Sequence, residues 1–371
     1  MTGLAVASIC LVLYTYAGYP LLVAAWARVA PRRWRGRDDF EPTVSVCIAV
    51  HDGERYLAAK LRSLQELDYP REKLDILLCS DGSTDGTEPV ARALAEGDPR
   101  ITVLATERRA GKPNALNELG KRARGEVLLM TDVRQSLSAN AVRELVRPLA
   151  DPQVGCVSGT LVLAGATGPS AYWRYERFIR GSESRVGGMV GVSGSPYALR
   201  RADFGELPRD VLLDDMWVPL SVARTAKSIV LAEHALAFDD ACDDDREFGR
   251  KVRTLAGNYQ LIAKMPWLLV PLKNPLWFPL FSHKLCRLLC PWALLGAFVA
   301  TAALTADTML GARALTFWRA AFVGQLAFYA LALLGERAGR LGSLARTFVV
   351  LNVAAVVGLW RFARGTQAVT W

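Results

Sequence analysis

The seven cysteines of this 371-residue chain form no metal-ligand spacing and no disulfide framework. Cysteines placed this way are small buried hydrophobes of a reducing compartment, which excludes a disulfide-stapled secreted scaffold. No internal repeat and no long low-complexity tract is present. The apolar stretches carry no paired acidic residues, which argues against a pure transporter. Charge itself is missing from Thr2 to Ala27, a stretch long enough to span a bilayer. It lacks a small-residue cleavage site and so reads as an anchor, not a removed leader. Arg28, Arg32, Arg33, Arg35 and Arg37 follow at once, and by the positive-inside tendency they hold the next segment in the cytoplasm.

Toward the C-terminus, Leu288 to Ala306 is uncharged and forms a second span; Ala320 to Gly335 is shorter, and extending it past Arg319 to Leu315 gives a third of about 20 residues. The segment 344–362 has a charge-free part, Thr347 to Trp360, that crosses, tilts or lies re-entrant. The formal charge of +9 raises nucleic acid as a partner. The basic residues, however, cluster beside hydrophobic segments, and a membrane surface accounts for them better. The aromatic and proline-rich run at 266–281 suits the membrane interface, as does the basic amphipathic pattern at 246–264.

Between these flanks, apolar runs at 44–50, 74–79, 101–105, 126–131 and 154–163 read as strands. Helical patterns at 54–67, 85–97, 112–123 and 139–149 separate them, which predicts an α/β fold with a mostly parallel sheet. The segment 170–190 predicts a further helix over the sheet. In such a sheet ligands bind at the carboxyl ends of the strands. Asp52 and Asp81 stand at the first two of these ends, in VSVCIAVHDGE and SDGSTDGT, as short acceptors for a base or ribose.

VSVCIAVHDGE, SDGSTDGT, GKPNALN at 111–117 and LLMTD at 128–132, in that order, resemble family 2 glycosyltransferases from about residue 43 to 260. The resemblance implies a GT-A fold and transfer of a sugar from a nucleotide diphosphate, UDP-linked, to an acceptor. It carries nucleotide binding to Asp52, Asp81 and Lys112, the last at a helix start where its charge adds to the positive helix end. Asp132 matches the first member of an acidic pair that coordinates Mg²⁺ or Mn²⁺ through diphosphate oxygens. The second member is missing, because the sequence reads Asp132-Val133-Arg134. In LPRDVLLDDMW the matching acidic pair makes Asp215 the general base and Asp214 its neighbour. Gly194 and Ser195, in GVSGSPYALRR, fall on the acceptor side, and Trp173 is a candidate to stack on a sugar or a lipid chain.

RKVRTLAG at 250–257 departs from the segment of the processive synthases. Lys251 and Arg253 keep basic positions that face the diphosphate in the family, while the Gln and Trp that face the acceptor are absent. The expected layout is an anchor at 1–28, a cytoplasmic GT-A domain at 43–245, an interfacial segment at 246–282 and a transmembrane region at 283–371. The expected activity is inverting, non-processive transfer to a lipid-linked or surface-glycan acceptor at the cell membrane. Its rivals are a processive polysaccharide synthase and a catalytically weak nucleotide-sugar-binding subunit.

Overall fold

The computed structural model describes residues 1–164, 171–192, 194–240, 244–307 and 309–369. Ser193, in the GVSGSPYALRR segment, lies outside the described residues, as does Cys242. The chain divides into two compact units. One holds residues 26–242, 260–277 and 368–371, and the other 1–25, 243–259 and 278–367.

The first unit is built on one sheet. Its strands are β1 (Val44–Val50), β2 (Leu74–Asp81), β3 (Ile101–Thr106), β4 (Val127–Met130), β5 (Ser136–Leu137), β6 (Val154–Ala164), β7 (Tyr197–Arg200) and β8 (Ser228–Asp240), in the order β3-β2-β1-β4-β7-β6-β8-β5. Every residue of β1 is buried, as expected for a central strand covered by helices on both faces. The helix Glu54–Gln65 sets Leu57, Leu61 and Leu64 on one stripe, and these join the core cluster with Val46, Ile48 and Ile76.

The β3-β2-β1-β4 half is parallel, and so is the β6–β8 pair, whereas β7 runs antiparallel to β4 and β6 and β5 antiparallel to β8. The sequence reading missed β5 and β8, while β7 falls in the GVSGSPYALRR segment. The reversal at β7 matters for function. In a parallel neighbour the residues before the strand would lie at the far end of the sheet. Here Met130 pairs with Tyr197, so Gly194 and Ser195 arrive beside the carboxyl end of β4.

Among the described residues three helical stretches are long and apolar enough to cross a membrane: Thr2–Val29, Trp277–Thr305 and Ala312–Ala363. The second starts at Trp277, well before the span expected at Leu288, so the end of the expected interfacial segment is part of this helix. The third is two helices, Ala312–Leu334 and Gly339–Ala363, joined by a tight turn with Gly335 and Gly339 at positive φ. Phe328 and Phe348 meet across it with ring centroids 5.5 Å apart. The segment 344–362 is therefore helical throughout.

Candidate active site

The loops after β1 and β2 are tied to each other. Asp52, in the left-handed region at φ 48°, accepts the Thr84 N–H at 2.7 Å. That bond leads the effects holding its carboxyl below the usual range. Asp85 accepts the N–H of Glu54 at 3.2 Å and of Thr87 at 3.0 Å, so one side chain serves the first turns of two helices. Within SDGSTDGT it is thus a structural acid. Asp81 is fully buried and accepts the Ala110 N–H at 2.8 Å and the Gly111 N–H at 2.7 Å, one on each oxygen. A Cβ at Gly82 would come 2.3 Å from the Arg109 nitrogen, so the loop 106–111 lies directly on this glycine. Asp81 therefore fixes the loop that delivers Lys112, and its Oδ1 also accepts the Thr106 hydroxyl at 3.3 Å.

Gly111, at φ 92°, begins the helix Lys112–Arg122. Lys112 Nζ donates to Asp132 Oδ1 at 3.0 Å and lies 3.3 Å from Asp214 Oδ2 as an ion pair. The second contact lacks hydrogen-bond alignment, since Asp214 Oδ2 is buried without a hydrogen-bond partner. Burial works against the Lys112 charge, but Asp132, Asp214 and Asp215 outweigh it and hold the ammonium firmly protonated. Burial likewise opposes ionisation of Asp132, and the Lys112, Arg134 and Lys60 charges still keep its carboxyl below the ordinary value.

Asp132 is also fixed from below. Its N–H donates to Ser195 Oγ at 3.1 Å, and Ser195 Oγ donates to Thr131 Oγ1 at 3.2 Å. Thr131 Oγ1 accepts a second bond, from Lys60 Nζ at 2.7 Å, and Lys60 also donates to the Gln135 carbonyl at 2.7 Å. Lys60 is 1% exposed and no carboxylate lies within ion-pair reach among the described residues. Burial pushes its pKa down to about 7, against a smaller opposite effect of Asp132. Sequence reasoning missed this residue, although a lysine on the Leu57–Leu61–Leu64 stripe was a readable signal. Arg134, at the position of the missing second acid, pairs with buried Asp239 at 3.2 Å.

Asp214 and Asp215 open the helix Asp214–Ala223, where acids suit the positive helix end. Burial, then repulsion from Asp214, pushes Asp215 up to about 6, with Lys112 and Arg180 pulling the other way. Gly194 passes close by: a Cβ there would stand 3.5 Å from Asp215 Oδ2. The run before the pair is pinned at both ends. Asn117, from the GKPNALN motif, exchanges two hydrogen bonds with the Leu207 backbone, at 2.9 and 2.8 Å, and the Leu212 N–H donates to Gln260 at 2.9 Å.

The structure thus brings Lys112, Asp132, Ser195, Gly194, Asp214 and Asp215 together, with Asp52 and Asp81 on the neighbouring strand ends. Trp173 lies on the helix Ala171–Val186 and lines a separate cavity beside β6. Lys251 and Arg253 belong to the other unit, on the helix Asp244–Lys264, where Lys251 pairs with Glu247 one turn away.

The fold has a known counterpart, and part of the sequence has known relatives. A mannosyltransferase from Pyrobaculum calidifontis, solved in complex with GDP-Man and Mn²⁺, superposes with a TM-score of 0.78 at 24% identity, covering 98% of this chain and 100% of that one. The beta-monoglucosyldiacylglycerol synthase of Nostoc sp. is 25% identical over 168 residues, 43% of this chain and 36% of the relative. An N-acetylglucosaminyltransferase of Rhizobium meliloti is 27% identical over 176 residues, 45% of this chain and 41% of the relative. The chain spans less than half the length of these two relatives. The family model described as glycosyl transferase family 2 matches residues 45–206, which contain both strand-end loops, Lys112, Asp132 and Ser195.

Proposed function

We propose that the chain is an inverting, membrane-anchored glycosyltransferase that moves a sugar from a nucleotide-diphosphate sugar to a membrane-associated acceptor, one residue at a time. The observation that carries this reading is the meeting of Lys112, Asp132 and Asp215 at the carboxyl edge of the sheet. The transfer needs counter-charge for a diphosphate and a base for a hydroxyl. Lys112 supplies the first at a helix start. Asp215, with its pKa pushed up to about 6, is ionised at neutral pH yet basic enough to take the acceptor proton. Direct displacement with one base inverts the anomeric centre. Lys251 and Arg253 are assigned to the diphosphate by the family resemblance.

Asp132 fits a divalent cation. It is 30% exposed at a strand end, Lys112 occupies Oδ1, and Oδ2 accepts no hydrogen bond among the described residues. Among the described residues no group of three or more metal-ligating side chains forms a cage. Mg²⁺ and Mn²⁺ suit a site with one carboxylate, because phosphate and water oxygens complete their shell. When bound, the cation supplies further neutralisation of the leaving diphosphate. The mannosyltransferase solved with GDP-Man and Mn²⁺ supports a nucleotide-diphosphate sugar and such a cation, and it sets a guanosine-linked donor beside the uridine-linked one. The relative named as a beta-monoglucosyldiacylglycerol synthase supports a lipid acceptor.

The test is nucleotide diphosphate release by the purified protein in lipid, with Mg²⁺ or Mn²⁺ and a panel of UDP- and GDP-sugars. Release from one donor, absent in Asp215→Asn, supports transfer with Asp215 as base. Equal release by both proteins removes Asp215 from that role, and tight nucleotide binding without release in the presence of membrane lipid extract favours the binding-subunit rival.

A further inference from the structure

Arg134 stands two residues after Asp132, on the turn that follows β4. The Gln135 N–H closes this turn on the Asp132 carbonyl at 3.3 Å, and Val133 within it packs against the core cluster, 8% exposed. The side chains on either side of Val133 both reach the surface, Asp132 at 30% exposure and Arg134 at 31%. They are within electrostatic reach of each other: against burial, the Lys112 charge and then the Arg134 charge hold the Asp132 carboxyl below its ordinary value.

The Arg134 guanidinium is held in place without its donors being spent. Among the described residues its one ion pair is with Asp239, at 3.2 Å, and none of its N–H groups makes a hydrogen bond. Asp239 has donors of its own. Its Oδ2 accepts Gln135 Nε2 at 3.2 Å and its Oδ1 accepts the Asp240 N–H at 3.0 Å. The antiparallel pairing of β5 with β8, Ser136 opposite Phe238, fixes this carboxylate across from the Arg134 turn. Asp239 is 8% exposed, so it is a buried anchor that leaves the planar fork available.

The charges already at the site say what the fork is for. Lys112 meets Asp132 at 3.0 Å and Asp214 at 3.3 Å, and the Asp215 charge also acts on it, before any sugar donor arrives. A diphosphate brings further negative charge to these carboxylates, more than one ammonium neutralises. A guanidinium with unspent donors beside Asp132 supplies the difference, and its fork matches phosphate oxygens. We propose that Arg134 is a direct contact of the donor diphosphate, positioned by Asp239, and that a nucleoside diphosphate therefore binds without a divalent cation. The assignment of that diphosphate to a sugar donor rests on the transferase reading; the anion contact does not.

The test uses the full-length protein in detergent micelles, with GDP and UDP as probes, calorimetry as the readout, and either EDTA or Mn²⁺ present. Wild type is expected to bind one of the two in EDTA, and Mn²⁺ should tighten it by less than about threefold, under 1 kcal/mol. Arg134→Gln should bind about tenfold more weakly in EDTA, the worth of a charge-assisted hydrogen bond, and Mn²⁺ should restore most of that loss. Arg134→Lys, with the charge but not the fork, should fall between the two. Asp239→Asn should show the cation dependence of Arg134→Gln in weaker form. All variants should melt like wild type in the absence of nucleotide. A merely structural role would weaken binding equally with and without the cation. That result, no binding of either probe in EDTA, or an unchanged Arg134→Gln overturns the proposal. Turnover of sugar donors measured alongside separates the two readings. Turnover with Arg134-independent binding sinks the contact alone. Arg134-dependent binding without turnover on any donor sinks the transferase and leaves a diphosphate site.

Discussion

Lys112 Nζ stands 3.0 Å from Asp132 Oδ1, joining the start of one helix to the end of β4 across the carboxyl edge of the sheet. The same ammonium faces Asp214 at 3.3 Å, so a single cation holds two carboxylates that would otherwise repel. Lys112→Met should remove both this clamp and the fixed charge for the diphosphate. The expected loss in kcat/KM is about 100-fold or more, as for other fixed groups that stabilise developing charge. Nucleotide diphosphate affinity should fall with it. Wild-type kinetics in the variant would show that Lys112 serves structure alone.

Asp215 ties activity to stability in opposite senses. Its native pKa of about 6 lies above the ordinary carboxyl value of 3.8. As pH rises the unfolded chain therefore gives up this proton first, and stability is lost between about pH 4 and 6 and stays lost above. Asp215→Asn should be inactive, yet melt higher than wild type at pH 7.5 and no higher near pH 4. In wild type, kcat/KM should fall as pH drops through an apparent value of about 6 that belongs to the Asp214–Asp215 pair. A variant that melts lower at pH 7.5 would mean that the Asp215 charge is well satisfied in the native protein.

How much of this was legible depends on the kind of signal. β1 and β2 are continuous apolar runs ending in glycine-bearing loops, so the strand-end carboxylates follow from pattern alone. β8 was not legible, because Glu233 and His234 break SIVLAEHALAFDD near its middle, and β7 is only four residues long. Their direction in the sheet is a tertiary outcome, and with it comes the approach of Ser195 to Asp132. Asp81 shows the limit of reading ligands from motifs: a carboxylate at the expected place already carries two backbone bonds that build the Lys112 loop. Arg134 does too, since its pairing with Asp239 joins residues far apart in the sequence.

Lys60 predicts a pH effect unconnected with turnover. Its native pKa of about 7 is below the ordinary 10.5, so between these values the unfolded chain binds more protons. Stability should therefore rise with pH across that window, by at most about 1.4 kcal/mol per pH unit from this one group. Lys60→Met should flatten the rise, which chemical denaturation at pH 7.0, 8.0 and 9.0 measures. It also leaves the Gln135 carbonyl without its donor, so the variant should be less stable than wild type at pH 9, where lysine is already neutral. An unchanged slope would show that Lys60 stays charged throughout, held by Thr131 and Gln135.

Asn117 is 5% exposed and holds Leu207 by both its N–H and its carbonyl, at the start of the run that ends in Asp214 and Asp215. Asn117→Ala strips both backbone groups of their partners, which costs about 1–3 kcal/mol for each one that water does not reach. The melting temperature should drop accordingly. The loops proposed to hold the nucleotide are fixed by Asp52, Asp81 and Asp85 and do not depend on this clamp, so donor KM should change little. The position of Asp215 does depend on it, so kcat should fall. Asn117→Asp keeps the acceptor for the Leu207 N–H and loses the donor, and it should lie between the two in both stability and kcat. Equal loss in donor KM and kcat for both variants would mean that Asn117 supports the whole sheet edge instead of placing the base.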